Sequence, residues 1–424
     1  MSAERTTQHA GSASSALPFD LSSFNTTDDR WAYYRSWRDH APVLHVPPSV
    51  PTTRNAVILT RYEDVAGILR ALDTQVSPEG FPDPKHLGEG ASAAMYRVRM
   101  VLNDPPTHTR LRKLAAPAFT PKAIAGITDS IRAAVEAKLD ELQERESVDI
   151  VRDFASHVPA TVVCSILGIE MEPHGNELIA RTADYANIFS PFPLDQATFE
   201  RCETACAYYI EWFTQFVQEH RTRPGSAVVN ALLAAEEQGT RLTTIELVGL
   251  LHAFLSAGYQ TTMNAIVSAV FGLLQERDKY AWLRANPDAI PHAVDETLRW
   301  DGPVHFARRY LVAPTVLHGT TLEPGTEVLC CLASANRDER KFPDPDELQL
   351  DRANAAEHVA FGGGRHFCIG AYFARLEGTI ALSALLRRFP EMELIDTAPP
   401  HRRQFVFPLY ERLNVQLGRA ARAA

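Results

Sequence analysis

A cysteine near the C-terminus stands where its thiol could do chemistry. Residues 361–370 read Phe-Gly-Gly-Gly-Arg-His-Phe-Cys-Ile-Gly, and residues 371–388 have strong helical periodicity. This pattern predicts a glycine-rich loop that carries Cys368 to the start of a helix. Free backbone N–H groups and the helix dipole stabilise a thiolate at such a position, and the thiolate is the form of cysteine that binds metals.

The residues alone leave other interpretations of this loop open. The cysteine could be an inert core residue, and the glycines could cradle a phosphate. The second alternative is disfavoured because no strand with the GxGxxG or GxxxxGK(S/T) spacing precedes the loop. A thiolate bound to iron would push electron density through the metal and favour cleavage of an O–O bond.

The loop resembles the heme-binding signature of the cytochrome P-450 family, F-G-x-G-x-H-x-C-x-G, at every fixed position. The resemblance implies heme b (iron protoporphyrin IX) as cofactor, with its iron bound by Cys368 and with Phe361, Gly362 and His366 in the cofactor site. It also implies a mainly α fold with a minor β part. In that fold the heme is buried between a long central helix and the cysteine-bearing loop.

A second motif lies in the longest apolar helix, where residues 257–262 read Ala-Gly-Tyr-Gln-Thr-Thr. Glycine costs about 1 kcal/mol relative to alanine inside a helix, and the following threonine hydroxyl can bond back to a carbonyl and open a local kink. Ordinary helix packing is the alternative. The segment resembles the family's oxygen-binding motif A/G-G-x-D/E-T-T/S, which implies catalytic roles for Thr261 and Gln260 and heme contacts for Ala257 and Gly258.

Gln260 departs from that motif, because the family has an acid at its position. An amide can orient water but cannot give or take a proton as a carboxyl does. Proton delivery to bound dioxygen therefore has to use water, Thr261 or the substrate. Alternatively, the chemistry is an oxidative coupling of an aromatic compound, without oxygen insertion.

Basic side chains on a helix suggest an anion site. His108 and Arg112 lie four residues apart, a ready pair of donors for a carboxylate, although a solvated basic helix face has the same pattern. Residues 104–112 resemble the family's D-P-P-x-H-x-x-x-R segment. The resemblance implies that His108, Arg112, His366 and Arg309 bind the heme propionates, with Arg308 in place of Arg309 if the register slips by one.

A further pair has a structural interpretation. Glu296 and Arg299 share one helical face, where an ion pair is usually a minor surface feature. They match the family's E-x-x-R pair, which braces the core beside the heme. The resemblance implies a third partner from residues 336–352, for which Arg352 is the candidate.

The substrate pocket is implied by the resemblance alone. The substrate would lie over the heme face opposite Cys368, and the loop at residues 77–90 would contribute to the pocket. The other implied pocket residues, besides Ala257 and Gly258, are Ala253, Val304, His305, Phe306, Phe405, Val406 and Phe407.

The bulk composition narrows the classes of partner. The net charge of −10 and the pI of about 5.9 disfavour nucleic-acid and anionic-membrane binding. Residues 1–17 are rich in Ser, Thr and Ala without an apolar core, so they are expected to form a disordered leader rather than a signal peptide. Residues 247–274 contain His252, Gln260 and Asn264 and are predicted to form a core helix, not a membrane span. We therefore expect a cytoplasmic protein with one domain at residues 18–424.

Periodicity places these motifs on a mainly helical scaffold. A capping box at Thr243 and Glu246 should start the long apolar helix. Strands are predicted at 43–46, 56–60, 316–331, 404–407 and 414–417. Helices are predicted at roughly 62–72, 94–117, 121–145, 150–168, 174–188, 196–222, 226–237, 244–275, 277–300 and 369–388.

The resemblance implies a monooxygenase that activates O2 on a small organic substrate, such as a secondary metabolite. No flavin or nicotinamide module is recognisable in the sequence, so the implied electron donor is a ferredoxin or flavodoxin with its reductase. Arg112, Lys113 and Arg365 could give the cysteine side a basic docking patch. A heme protein without catalysis, such as a gas sensor, is the remaining alternative, although no output domain is recognisable.

Overall fold

The computed structural model of the chain describes residues 17–27, 29–48, 50, 55–77, 87–120, 126–237 and 242–420. Nearly all of the leader expected at residues 1–17 lies outside these ranges, as do residues 78–86 of the loop at 77–90. Both stay predictions.

Helices form most of the described chain, as the periodicity predicts. The α-helices are Leu21–Thr26, Arg30–His40, Tyr62–Arg70, Ala91–Arg97, Thr107–Ala115, Thr128–Leu142, His157–Leu167, Asn176–Ala180, Thr182–Tyr185, Gln196–His220, Ala227–Glu237, Thr244–Gln275, Arg277–Ala285, Ile290–Trp300, Leu332–Asn336 and Ala371–Arg388.

The helix Thr244–Gln275, called the central helix below, crosses the core. The predicted capping box is confirmed: the Thr243 N–H donates to the Glu246 carboxylate at 2.8 Å, and the Glu246 N–H donates to the Thr243 hydroxyl at 3.3 Å. At Gly258 an added Cβ would lie 2.7 Å from Cγ1 of Val163, so glycine lets the helix His157–Leu167 approach closely. The central helix is continuous over all 32 residues, and the kink suggested at Thr261 stays a prediction.

Ten short strands form the β part of the described chain: β1 Val43–His45, β2 Ala56–Leu59, β3 Thr74–Gln75, β4 Ser147–Asp149, β5 Phe306–Leu311, β6 Thr315–Leu317, β7 Thr320–Leu322, β8 Glu327–Cys331, β9 Glu393–Leu394 and β10 Asn414–Gln416. A five-stranded sheet has the order β1-β2-β8-β5-β3, in which only the pairing of β2 with β8 is parallel. Strands β4, β10 and β9 form a second sheet, and β6 and β7 form a hairpin.

Two differences from the predicted elements concern the site. Strand β5 was not expected, because the adjacent Arg308 and Arg309 interrupt the alternation of apolar and polar residues that indicates a strand. Residues 404–407 were predicted to be a strand but form an irregular segment. A backbone hydrogen bond joins this segment to the residue before strand β5: the His305 N–H donates to the Val406 carbonyl at 2.9 Å.

One segment has the length and composition of a membrane span. Residues Ile150–Leu167 have a mean hydropathy of 1.3, and 61% of them are buried inside the protein. They comprise a short π-helix, Ile150–Ala155, followed by the helix His157–Leu167, and both pack against the central helix. This segment therefore has the environment of a core helix.

Candidate heme site

A cavity of about 420 Å³ lies between the central helix and the cysteine loop. The central helix contributes residues from Ala253 to Thr262, and the loop contributes residues from Ala360 to Gly370. Strand β5 and the segment Val406–Phe407 form further parts of the wall. The structure thus brings together four segments that the sequence singled out separately.

The glycine-rich loop has a fixed conformation. Gly362 and Gly364 have positive φ angles of 70° and 61°, which strain any residue with a Cβ. At Gly364 a Cβ would also lie 2.5 Å from the carbonyl oxygen of Leu69, so this glycine allows the loop to pack on the helix Tyr62–Arg70. The Cys368 N–H donates to the Phe361 carbonyl at 2.9 Å, which closes the loop.

The thiol of Cys368 faces the cavity. Its side chain is exposed there, whereas the other five cysteines are buried. Enclosure by protein atoms raises the pKa of the Cys368 thiol, although the Gly370 N–H and the charges of Arg112 and Arg375 act in the opposite direction. The sequence led us to expect a net stabilisation of the thiolate by the helix start. A bound metal cation would have to supply the missing stabilisation.

Four basic side chains meet at one edge of the cavity. The rings of His108 and His366 lie 4.3 Å apart, and Arg112 and Arg309 line the same edge. His366 is half-buried, and neither of its two enclosed ring nitrogens has a hydrogen-bond partner among the described residues. Burial, Arg309 and His108 lower the pKa of His366 to about 3.

These donors fit a dianionic edge. Burial lowers the pKa of His108, and the charges of Arg112 and Arg365 lower it further, while Asp104 opposes them. Asp104 itself accepts bonds from the Val76 and Ser77 N–H groups at 3.0 and 2.8 Å. The unpartnered imidazole of His366 beside the guanidinium groups offers N–H donors suited to carboxylates.

Arg308 and Arg309 are the two candidates for the arginine that binds a heme propionate, and their contacts differ. Arg308 is held by Tyr96 and by Glu327, whose carboxylate lies 3.5 Å from the guanidinium. Arg309 lies close enough to His366 for its charge to lower that pKa, and its own recorded bond goes to the Arg308 carbonyl at 2.8 Å. Both arginines line the cavity, and Arg309 is the one that reaches the basic cluster.

Thr261 and Gln260 line the cavity on the central helix. The Thr261 hydroxyl donates to the Ala257 carbonyl at 2.6 Å, one turn earlier. The buried Gln260 amide nitrogen donates to the Thr182 hydroxyl at 3.2 Å. This bond ties Gln260 to the helix Thr182–Tyr185. Because the side chain is an amide, position 260 has no ionisable group.

The predicted pocket residues divide into two groups. Those that line the cavity are Ala253, Ala257, Gly258, Val304, Phe306, Val406 and Phe407. His305 does not: its Nδ1 lies 2.8 Å from the Tyr34 hydroxyl, and the ring packs on Trp31. Phe405 also lies outside the cavity wall, stacked on Phe306 with ring centroids 4.1 Å apart. These two side chains are not part of the cavity lining, and their role in the substrate pocket stays a prediction.

Glu296, Arg299 and Arg352 form a buried ion triad. Arg299 donates twice to the Glu296 carboxylate, at 2.7 and 2.8 Å, and Arg352 donates to it at 2.9 Å. The carboxylate also accepts the Gln349 N–H at 2.9 Å. Arg299 reaches the carbonyls of Asn336, Pro345 and Glu347, so the triad ties the helix Ile290–Trp300 to the irregular segment that precedes the cysteine loop.

Several cavity residues were missed by the sequence analysis. The most unusual is Arg99, a buried arginine between the helix Ala91–Arg97 and the short turn Met100–Leu102. Tyr185, Phe189 and Ser256 line the same part of the cavity. No motif marks these residues, and only their packing brings them together.

Comparison with known proteins places the chain in a family. A family model described as "Cytochrome P450" matches residues 45–408. "Cytochrome P450 107B1" of Saccharopolyspora erythraea is 36% identical over 350 residues, which cover 80% of this chain and 83% of that protein. "Polyketide biosynthesis cytochrome P450 PksS" of Bacillus subtilis is 32% identical over 352 residues, covering 81% and 84%.

Solved structures show the same relationship. A crystal structure of P450BioI in complex with an acyl carrier protein ligated to hexadec-9Z-enoic acid has a TM-score of 0.85 and 27% identity, covering 94% of this chain and 99% of that one. The chain therefore belongs to the cytochrome P-450 family, a class of heme-dependent oxidoreductases. The predicted fold, mainly α with a minor β part, is confirmed.

Proposed function

We propose that this chain is a heme-thiolate monooxygenase in which Cys368 binds the iron of heme b. The observation that supports this best is the exposed Cys368 thiol on one wall of the cavity, with Thr261 and Gln260 on another wall. Heme with a thiolate ligand supplies dioxygen activation. The surrounding residues hold the cofactor, orient the substrate and control the approach of water and protons.

Each group of residues has a distinct task in this proposal. His108, Arg112, Arg309 and His366 bind the propionates, and Phe361, Gly362, Ala257 and Gly258 line the cofactor space. The back-bonded Thr261 hydroxyl positions a water molecule near the oxygen site. The Gln260 amide holds that part of the central helix against Thr182 and donates no proton. The buried triad around Glu296 keeps the cysteine loop in register.

We further propose a single domain at residues 18–424, a cytoplasmic location and electron supply from a ferredoxin or flavodoxin with its reductase. Lys113 is exposed, and Arg112 and Arg365 are half-buried beside the cysteine loop. Together they offer positive charge to an acidic partner on the side where electrons must arrive. The relative PksS is named for polyketide biosynthesis, which supports a secondary metabolite as substrate.

Oxidation without oxygen insertion is the second candidate, favoured by the amide at position 260. Turnover under ¹⁸O-labelled dioxygen distinguishes the two reactions. The assay contains the reconstituted redox partners and a compound that is selected because it changes the heme absorption spectrum. Monooxygenation places one labelled atom in the product and the other in water. A product without label, formed at the rate of electron consumption, would instead establish oxidative coupling.

Replacing Gln260 with glutamate tests the proton supply. A positioned acid contributes about 10²–10⁴-fold in proton-transfer steps, so we expect Gln260→Glu to raise the fraction of electrons that end in product rather than in peroxide. Gln260→Leu, which has no polar group, is the matched control and should not improve that fraction. An unchanged or lower product yield in Gln260→Glu would mean that the lack of an acid at position 260 does not limit proton delivery in the wild type.

A further inference from the structure

Arg99 is a buried cation on the wall of the cavity. Its side chain is 4% exposed, and no salt bridge to a carboxylate is recorded for it anywhere in the described chain. Its Nε has no hydrogen-bond partner among the described residues. An unpaired buried charge destabilises a fold, so the presence of arginine at this position calls for a functional explanation.

Neutral groups hold the rest of the guanidinium. One terminal nitrogen lies 3.3 Å from Nδ1 of His252, and the other donates to the Ser256 hydroxyl at 3.3 Å. Both distances exceed the usual range of about 2.7–3.2 Å for N–H donors. Burial and Arg99 lower the pKa of His252 well below its ordinary value, so His252 is a neutral acceptor and supplies no counter-charge.

The position of Arg99 separates it from the basic cluster at the heme edge. The charges that act on His366 come from Arg309, Arg365 and Arg112. Arg99 instead contacts Ser256, one helical turn before Gln260, on the face of the central helix that lines the cavity. Its guanidinium lies 5.4 Å from the Tyr185 ring and 5.8 Å from the Phe189 ring, so aromatic walls flank it.

We propose that Arg99 is a specificity-determining residue that binds a carboxylate of the substrate. The inference rests on the proposed function, because it deepens the description of that cavity. A planar guanidinium is suited to a carboxylate, which it can bind with two parallel hydrogen bonds. The apolar remainder of such a substrate would lie along the aromatic wall toward Gln260 and Thr261.

The same charge selects against neutral ligands. A neutral apolar compound that fills the cavity would keep water away from Arg99 and leave the cation unpaired, which is costly. A carboxylate compensates for the lost water. Discrimination therefore arises from the penalty on the wrong ligand as well as from attraction to the right one.

The test is calorimetric titration of the heme-loaded protein with matched pairs of compounds. The pairs are decanoate with decanamide and 4-butylbenzoate with 4-butylbenzamide. We expect the wild type to bind at least one carboxylate about tenfold or more tightly than its amide, which corresponds to about 1.4 kcal/mol. Arg99→Met should abolish the preference, Arg99→Lys should retain part of it, and Arg97→Met, a change at an exposed neighbour, should leave it intact.

Three results would overturn the inference. They are a wild type without preference for either carboxylate, a preference that persists in Arg99→Met, and an equal loss of carboxylate and amide binding, which would indicate that Arg99 only braces the cavity wall. If Arg99→Met fails to fold, Arg99→Lys and the wild-type preference still decide. The thiolate-type absorption band under carbon monoxide is recorded for every variant, so its absence from the wild type identifies a failure of the proposed function instead.

Discussion

Replacing Glu296 with glutamine is expected to lower the free energy of unfolding by about 3–5 kcal/mol, the usual cost of removing one partner from a buried ion pair. The Glu296 carboxylate is fully buried and accepts from both Arg299 and Arg352. Glutamine has a similar size but no charge, so both guanidinium groups lose their counter-charge. Urea unfolding followed by far-ultraviolet circular dichroism measures the change.

Glu393→Gln is the matched control for this prediction. Glu393 pairs with Arg277 at the surface, where both side chains are more than half exposed, and such pairs contribute about 0–1 kcal/mol. A loss in Glu296→Gln no larger than the loss in Glu393→Gln would show that the triad does not stabilise the fold as described.

Replacing Arg309 with methionine is expected to weaken heme binding by about tenfold to a hundredfold, because a hydrogen bond to a charged group contributes about 1.5–3 kcal/mol. Methionine is unbranched like the aliphatic part of arginine, but it carries neither the charge nor the N–H donors. Two measurements report the effect: titration of the heme-free protein with heme, and the rate at which heme passes from the loaded protein to an excess of a heme-accepting protein.

Lys113→Met provides the comparison for Arg309, because Lys113 is an exposed cation on the helix that carries His108 and Arg112. It should leave heme affinity within about twofold, as expected for a surface charge in water. If Arg309→Met releases heme no faster than Lys113→Met does, the basic cluster is not the propionate site.

Some of this architecture is visible in the sequence because it depends on local rules. The central helix follows from a long apolar segment and from the capping box at Thr243. The pairing of Glu296 with Arg299 follows from helical spacing. Positive φ angles at Gly362 and Gly364 fit the glycine-rich spacing of the loop.

The remainder depends on contacts between distant parts of the chain. His305 turns from the cavity because it bonds to Tyr34, 271 residues away. Strand β5 forms although Arg308 and Arg309 break its pattern, because it pairs with β8 on one side and β3 on the other. No sequence motif marks Arg99, because the residues that hold it, His252 and Ser256, lie 153 and 157 residues further along the chain.

The pKa of the Cys368 thiol differs from what the sequence predicts. The loop and the helix start predict a stabilised thiolate, and the Gly370 N–H does act in that direction. Enclosure by the surrounding protein outweighs it and raises the pKa. A motif does not predict the pKa of such a thiol, because that pKa depends on how completely the rest of the chain encloses the group.

The bond between the sulfur of Cys368 and a heme iron is tested most directly by absorption spectroscopy of the heme-loaded, reduced protein under carbon monoxide. We expect the wild type to show the band of a thiolate-bound heme, and Cys368→Ala to lose that band while the far-ultraviolet circular dichroism stays unchanged. A wild type without the band, or an alanine variant that keeps it, would contradict the assignment of Cys368 as the iron ligand.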